Sequence, residues 1–156
     1  MKNLKQTDPE IFSLIKAEEK RQKDVLEMIP SENYASQAVM QALGTVLTNK
    51  YSEGFPKKRY YQGNEHIDSI EVLAAERAKK LFGVPYVNVQ PLSGAPANSA
   101  VYLALLEDGQ KLMGLSLASG GHITHGHKLG LSGRLFTFAH YDLGKDDHLD
   151  YELIKK

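Results

Sequence analysis

At Tyr86 the spacing of apolar residues changes period, and that change confines the chain to folds that combine helices with a sheet. Up to Phe82 the apolar positions recur at helical spacing: Ile11, Leu14 and Ile15, then Val25, Leu26 and Ile29; Val39, Met40, Leu43 and Leu47; Ile67, Ile70, Leu73, Ala74, Ala78 and Leu81. From Tyr86 onward, YVNVQP, KLMGLSL and GRLFTFAHY read as short strands, SGAPANSAVYLALL as a turn running into a helix, and LDYELIKK as the opening of another helix. Strands alternating with helices predict an α/β fold with a parallel or mixed sheet covered by helices. The chain divides into residues 1–83, helices with a long loop, and residues 84–156, α/β. Three strands make a thin sheet whose edge would expose unpaired backbone groups, so the second part reads as the front of a larger α/β domain.

Local signals bound the helices. Thr7, Asp8, Pro9 and Glu10 combine a cap residue, an early proline and an acid, predicting a helix from there toward Met28 that is stopped by Pro30. Its middle, EEKRQK, is expected to be solvated. Ser36 can cap a second helix through Leu47, and Gly83 and Pro85 end a third that begins near Ile67. Thr48–Glu65 has no period of its own and is expected to be a long functional loop.

The 156 residues carry 19 Lys+Arg against 19 Asp+Glu, with a hydrophobic fraction of 42% and no cysteine. This composition argues against disorder, a disulfide framework, a zinc ribbon and a thiol nucleophile. Zero net charge gives no field for nucleic acid or acidic membranes. The longest apolar runs fall well short of the ~20 residues that span a bilayer, and no signal peptide is visible, so a cytoplasmic, soluble protein is expected.

Three segments carry chemistry. In Ser93-Gly94-Ala95-Pro96-Ala97-Asn98 a strand turns into a helix, so backbone N–H groups and the positive end of the helix dipole converge beside the Ser93 hydroxyl and suit an anion. A plain connection with Ser93 as N-cap is the other reading. No Gly-Lys-Ser/Thr follows, so this is not a Walker loop. Gly120-Gly121-His122-Ile123-Thr124-His125-Gly126-His127 follows the second strand and places three histidines at its carboxyl end, where α/β proteins hold ligands. With no cysteine, no carboxylate in the cluster and no helix to hold a histidine pair, a metal site is not expected. An imidazole set by the glycine turn can instead stack on a flat cofactor ring or exchange a proton near neutral pH, while His125 and His127 can equally be structural. In Tyr51–Gly63, four aromatics in thirteen residues exceed what a solvated loop needs. The interleaved basic residues and tyrosines could bind single strands, but zero net charge and the lack of a second basic patch argue against it. Glu53, hemmed by Tyr51 and Phe55, is a candidate acid–base group through desolvation. Pro30-Ser31-Glu32-Asn33-Tyr34 alone is no more than a capping turn between helices.

Four of these segments, PSENY, LTNKYSEGFPKKRYYQG, NVQPLSGAPAN and SGGHITHG, in this order and at these separations, resemble the N-terminal part of serine hydroxymethyltransferase. The resemblance covers essentially the whole chain. It implies fold type I of the pyridoxal-phosphate enzymes, the aspartate-aminotransferase type, with an N-terminal helical segment and the first part of the large mixed-sheet domain. It further implies a homodimer that moves the hydroxymethyl group of serine to tetrahydrofolate, leaving glycine. Ser93, Gly94 and Ala95 match the turn that holds the cofactor phosphate, and His122 the histidine stacked on the pyridine ring. Ser31 matches a residue near the substrate carboxylate, Glu53 the acid handling proton transfers, and Tyr51 and Tyr61 active-site tyrosines that reach the neighbouring subunit. Leu117, Gly121 and Ile123 match positions lining the folate site. Ser119 and Leu92 replace histidines common in the family, and Lys57 and Gln62 replace loop glycines. The family's Schiff-base lysine, its aspartate on the pyridine nitrogen and its arginine for the substrate carboxylate have no counterpart here; Lys128 follows Gly-His rather than threonines. The expectation is therefore an N-terminal fragment that is inactive alone, against two alternatives: a non-catalytic oligomerisation or regulatory fragment, and a folate-binding module.

Overall fold

Asp8, rather than Thr7, starts the first long helix in the computed structural model, which describes residues 2–155. Its carboxylate accepts the Ile11 N–H at 3.0 Å, and Pro9, whose missing N–H costs nothing in a first turn, leads helix α2 (Pro9–Asp24). A short helix, α1 (Lys2–Thr7), precedes it without any periodic signal in the sequence. Helix α2 stops at Asp24 instead of running toward Met28. Val25, Leu26 and Ile29 are all exposed, Leu26 to 84%, so among the described residues little packing holds a further turn, and Val25 turns extended. The charged middle is solvated and laced by pairs such as Lys16–Glu19 at 2.6 Å and Arg21–Glu18 at 2.8 Å.

Ser36 caps helix α3 (Gln37–Leu43) through the Val39 N–H. The helix ends at Gly44, before Leu47, and a 3-10 turn follows at Val46–Asn49. The long loop holds a small antiparallel hairpin, β1 (Gly54–Phe55) with β2 (Lys58–Arg59). Arg59 braces it by donating to the carbonyls of Ser52 at 2.7 Å and Gly54 at 2.8 Å. At its tip Lys57 sits at φ 63°, in the left-handed region where a Cβ costs about 1–2 kcal/mol. Helix α4 (Glu65–Phe82) closes with the Val84 N–H on the Lys79 carbonyl across Gly83, the expected glycine stop.

The strand expected at Tyr86–Pro91 does not form. Among the described residues the segment joins no strand ladder, and the Asn88 side chain accepts the Gln90 N–H, a local bond that competes with one. Helix α5 (Gly94–Leu105), strand β3 (Lys111–Leu115), short helix α6 (Leu131–Leu135) and strand β4 (Thr137–Tyr141) follow, then α7 (Tyr151–Ile154) capped by Asp150. Strands β3 and β4 pair in parallel with Lys111 opposite Thr137 and Leu115 opposite Tyr141, the expected sheet reduced to two strands. Among the described residues Phe136, 6% exposed, is the one buried apolar side chain. The Tyr102 ring meets Phe136, Phe138 and His125 edge-on, at centroid distances of 6.0, 6.0 and 6.2 Å. The chain forms two compact units, residues 1–67 and 68–156.

Candidate functional site

Ser93 precedes α5 in extended conformation and its side chain makes no capping bond. Pro96 has no N–H and the Ala97 N–H already bonds the Ser93 carbonyl, which leaves the N–H groups of Gly94 and Ala95 and the Ser93 hydroxyl as a set of donors at the positive end of the helix. A Cβ built on Gly94 would meet nothing within 4 Å, so the approach to these donors is open.

The histidine segment is a fixed structure. After β3 the chain doubles back so tightly that a Cβ on Gly121 would lie 2.0 Å from the Leu115 carbonyl oxygen, which only glycine tolerates. Ser116 and Ser119 both donate to the Asp142 carboxylate, Ser119 at 2.9 Å, pinning the turn to the end of β4 and holding that carboxyl below the usual aspartate range. The His122 Nδ1 meets the Thr124 hydroxyl at 2.6 Å and the Thr124 N–H at 3.2 Å, and that hydroxyl accepts from the Asn98 amide at 2.8 Å. The His125 Nδ1 pairs with the Tyr102 hydroxyl, whose pKa burial pushes up. His140 Nε2 donates to the His125 carbonyl at 2.8 Å. At Gly126, φ 85°, a Cβ would enter the Phe138 ring at 2.2 Å. Beside these residues lies a cavity of about 590 Å³ lined by Leu117, His122, Ile123, His125, Lys128 and His140. Among the described residues no three His, Asp or Glu side chains converge to hold a metal ion.

The other expected residues lie in the first unit. The Tyr51 and Tyr61 rings meet edge-on at 5.7 Å, and the Glu53 carbonyl accepts the Tyr60 N–H at 3.2 Å. Asn64, buried, donates to the Tyr61 carbonyl at 2.9 Å. Glu53 is exposed, and Tyr51 and Phe55 are themselves 70% and 56% exposed, so within the chain they do not shield its carboxylate as the sequence suggested. Ser31 lines a separate cavity of about 850 Å³ with Arg21, Glu27 and Glu32. The Glu27 carboxylate there raises the pKa of Glu32.

The structure therefore brings Tyr51, Glu53 and Tyr61 onto one hairpin region, and places His122, Leu117 and Ile123 on one cavity with Gly121 in the turn that shapes it. Asn98 and Thr124 join His122 to the helix that begins at Ser93. Sequence reasoning did not single out Asn98, Thr124, Tyr102 or Asp142. Asn98 and Thr124 stand in the quoted segments, but their contact spans 26 residues and leaves no local signal.

Comparison with known proteins gives one answer. The sequence model of the serine hydroxymethyltransferase family matches residues 4–156. The chain is 55% identical over 155 residues to the serine hydroxymethyltransferase of Desulfotalea psychrophila, 54% over 157 residues to that of Rhodopirellula baltica and 56% over 153 residues to that of Verminephrobacter eiseniae. These alignments take in 99%, 100% and 98% of this chain but 36%, 37% and 37% of those proteins. The chain thus spans little more than a third of the length of the curated relatives it matches, along their N-terminal part. The match runs through every segment described above, and the chain belongs to the serine hydroxymethyltransferase family.

Proposed function

We propose that these residues form the N-terminal part of a serine hydroxymethyltransferase of fold type I, which moves the hydroxymethyl group of serine to tetrahydrofolate and leaves glycine with pyridoxal phosphate as cofactor, and that they are inactive alone. The observation that carries this reading is the set of donors at Ser93, Gly94 and Ala95, which suits a phosphate monoester and is tied through Asn98 and Thr124 to His122. When bound, pyridoxal phosphate supplies the electron sink for bonds at the substrate's α-carbon. The three donors would hold its phosphate. The exposed His122 ring would stack on it, orienting it and excluding water. Leu117, Gly121 and Ile123 shape an apolar wall for the folate ring.

Tyr51, Glu53 and Tyr61 serve the site of a second copy, and Ser31 lies near the substrate carboxylate. The exposure of Glu53 and its aromatic neighbours supports that arrangement, because the desolvation an acid–base carboxyl needs must then come from another surface. A parallel sheet of two strands supports the same conclusion, since parallel strands are stable when both faces and edges are covered. None of the lysines here follows a threonine-rich segment, so these residues alone hold the cofactor without a covalent link. Titration of the chain with pyridoxal phosphate, then borohydride reduction and peptide mapping, tests this. Saturable binding that weakens with inorganic phosphate or Ser93→Ala is expected, with no lysine labelled stoichiometrically. One stoichiometrically labelled lysine would overturn the noncovalent assignment, and binding indifferent to phosphate would remove the Ser93 turn.

A further inference from the structure

We propose that Thr124 is a positioning residue which, braced by Asn98 and Ser132, fixes the plane and the tautomer of His122. One donor at His122 cannot turn round. The Thr124 backbone N–H points at His122 Nδ1 at 3.2 Å, so that nitrogen must offer its lone pair and cannot carry a hydrogen. The Thr124 hydroxyl, 2.6 Å from the same nitrogen, must then donate to it, and its own lone pair receives the Asn98 amide at 2.8 Å. All three groups are satisfied in one arrangement only, with the neutral ring carrying its hydrogen on Nε2. Reversing either the hydroxyl or the Asn98 amide leaves the backbone N–H facing another N–H.

Thr124 is held from behind as well. Its carbonyl accepts the hydroxyl of Ser132 at 2.5 Å, and Ser132 is buried, 5% exposed, and also receives the Gly126 N–H at 3.2 Å. The His122 ring is therefore gripped by one edge, leaving its plane defined. Through Asn98, one turn into α5, the grip is referred to the helix whose first residues carry the phosphate donors. A ring pinned in this way loses no side-chain freedom when a flat partner lies on it, which favours binding without a new contact.

The ring's use in stacking rests on the function proposed above; its tautomer does not, and the experiment separates the two. In the full-length protein with ¹⁵N-labelled histidine rings, the two ring nitrogens of His122 report the tautomer above the pH at which the imidazole is neutral. A single Nε2–H form is expected in the native protein, a mixture in Thr124→Val, where the 3.2 Å backbone N–H alone no longer holds the ring and Nδ1 turns away from it, and a return to the single form in Thr124→Ser. An Nδ1–H ring in the native protein, or a ratio unchanged by Thr124→Val, would overturn the proposal. In parallel, Thr124→Val should weaken pyridoxal phosphate binding about two- to tenfold, the cost of ordering one side chain, while inorganic phosphate binding stays unchanged. If the tautomer behaves as expected and pyridoxal phosphate does not bind, the positioning role stands and the cofactor assignment falls.

Discussion

The segment between β3 and β4 and the hairpin region at Tyr51–Gly63 both carry side chains suited to chemistry, yet they are completed in opposite ways. In the first, each histidine bonds to a neighbour: His122 to Thr124, His125 to Tyr102, and His127, which accepts the Leu129 N–H. In the second the backbone is braced by Arg59 while Glu53, Tyr51 and Phe55 face outward. The contrast teaches that the histidine segment is preorganised by its own unit, whereas the hairpin region leaves its chemical side chains exposed, which is what the proposed role at a second copy requires.

The largest effect should come from the outward-facing half. In the full-length protein carrying this segment, Glu53→Gln should slow hydroxymethyl transfer by about 100-fold or more, the usual worth of a positioned proton carrier, while serine still binds. Mixing Glu53→Gln subunits with subunits lacking the cofactor-linking lysine should restore activity in hybrids. No recovery despite proven exchange would mean that Glu53 serves its own subunit, and the contrast between the two regions would lose its meaning.

The inward-facing half should fail through folding instead. Gly126→Ala forces a Cβ into the Phe138 ring from a backbone at φ 85° and should destabilise by about 2–4 kcal/mol, read from the urea midpoint. An unchanged midpoint would show that the histidine segment is not packed against β4 in solution.

A smaller and pH-dependent effect belongs to Asp142. Its folded pKa is depressed by the hydroxyls of Ser116 and Ser119, so its contribution is present above the ordinary aspartate value of about 4 and is lost as pH falls through the folded value. Stability of the native protein should therefore decline more steeply than that of Asp142→Asn below about pH 4. Parallel acid titrations of the two proteins would remove the clamp from the account. The smallest change is a gain in the hairpin: Lys57→Gly relieves the left-handed Cβ and should stabilise by up to about 1 kcal/mol once glycine's greater chain entropy is subtracted. A loss would show that the lysine's contacts outweigh the strain.

What the sequence made legible follows the range of the interactions involved. Ser36 as a cap, Gly83 as a stop and the alternation that produces β3 and β4 are decided within a few residues, and they are as expected. Tyr86–Pro91 looked like a strand because its composition suits one, but a strand exists only beside a partner, and none lies alongside among the described residues. Helix α2 looked longer because Val25, Leu26 and Ile29 keep the apolar period, which counts only where something covers them. The site shows the same division: the donor turn at Ser93 could be read from its own residues, whereas the Asn98–Thr124 bond could not.

The parallel register of β3 and β4 has a consequence for how the molecule is made. Residues 116–136, with His122, His125 and His127, form the loop that this pairing closes, so their arrangement gains little until Leu115 and Tyr141 are side by side. Closure must meet its entropy cost before the pairing returns any stability, which makes it a late and cooperative step. On a growing chain, the hairpin at Gly54–Arg59 can form from its own neighbours long before, while His122 waits for the synthesis of β4, some twenty residues further on.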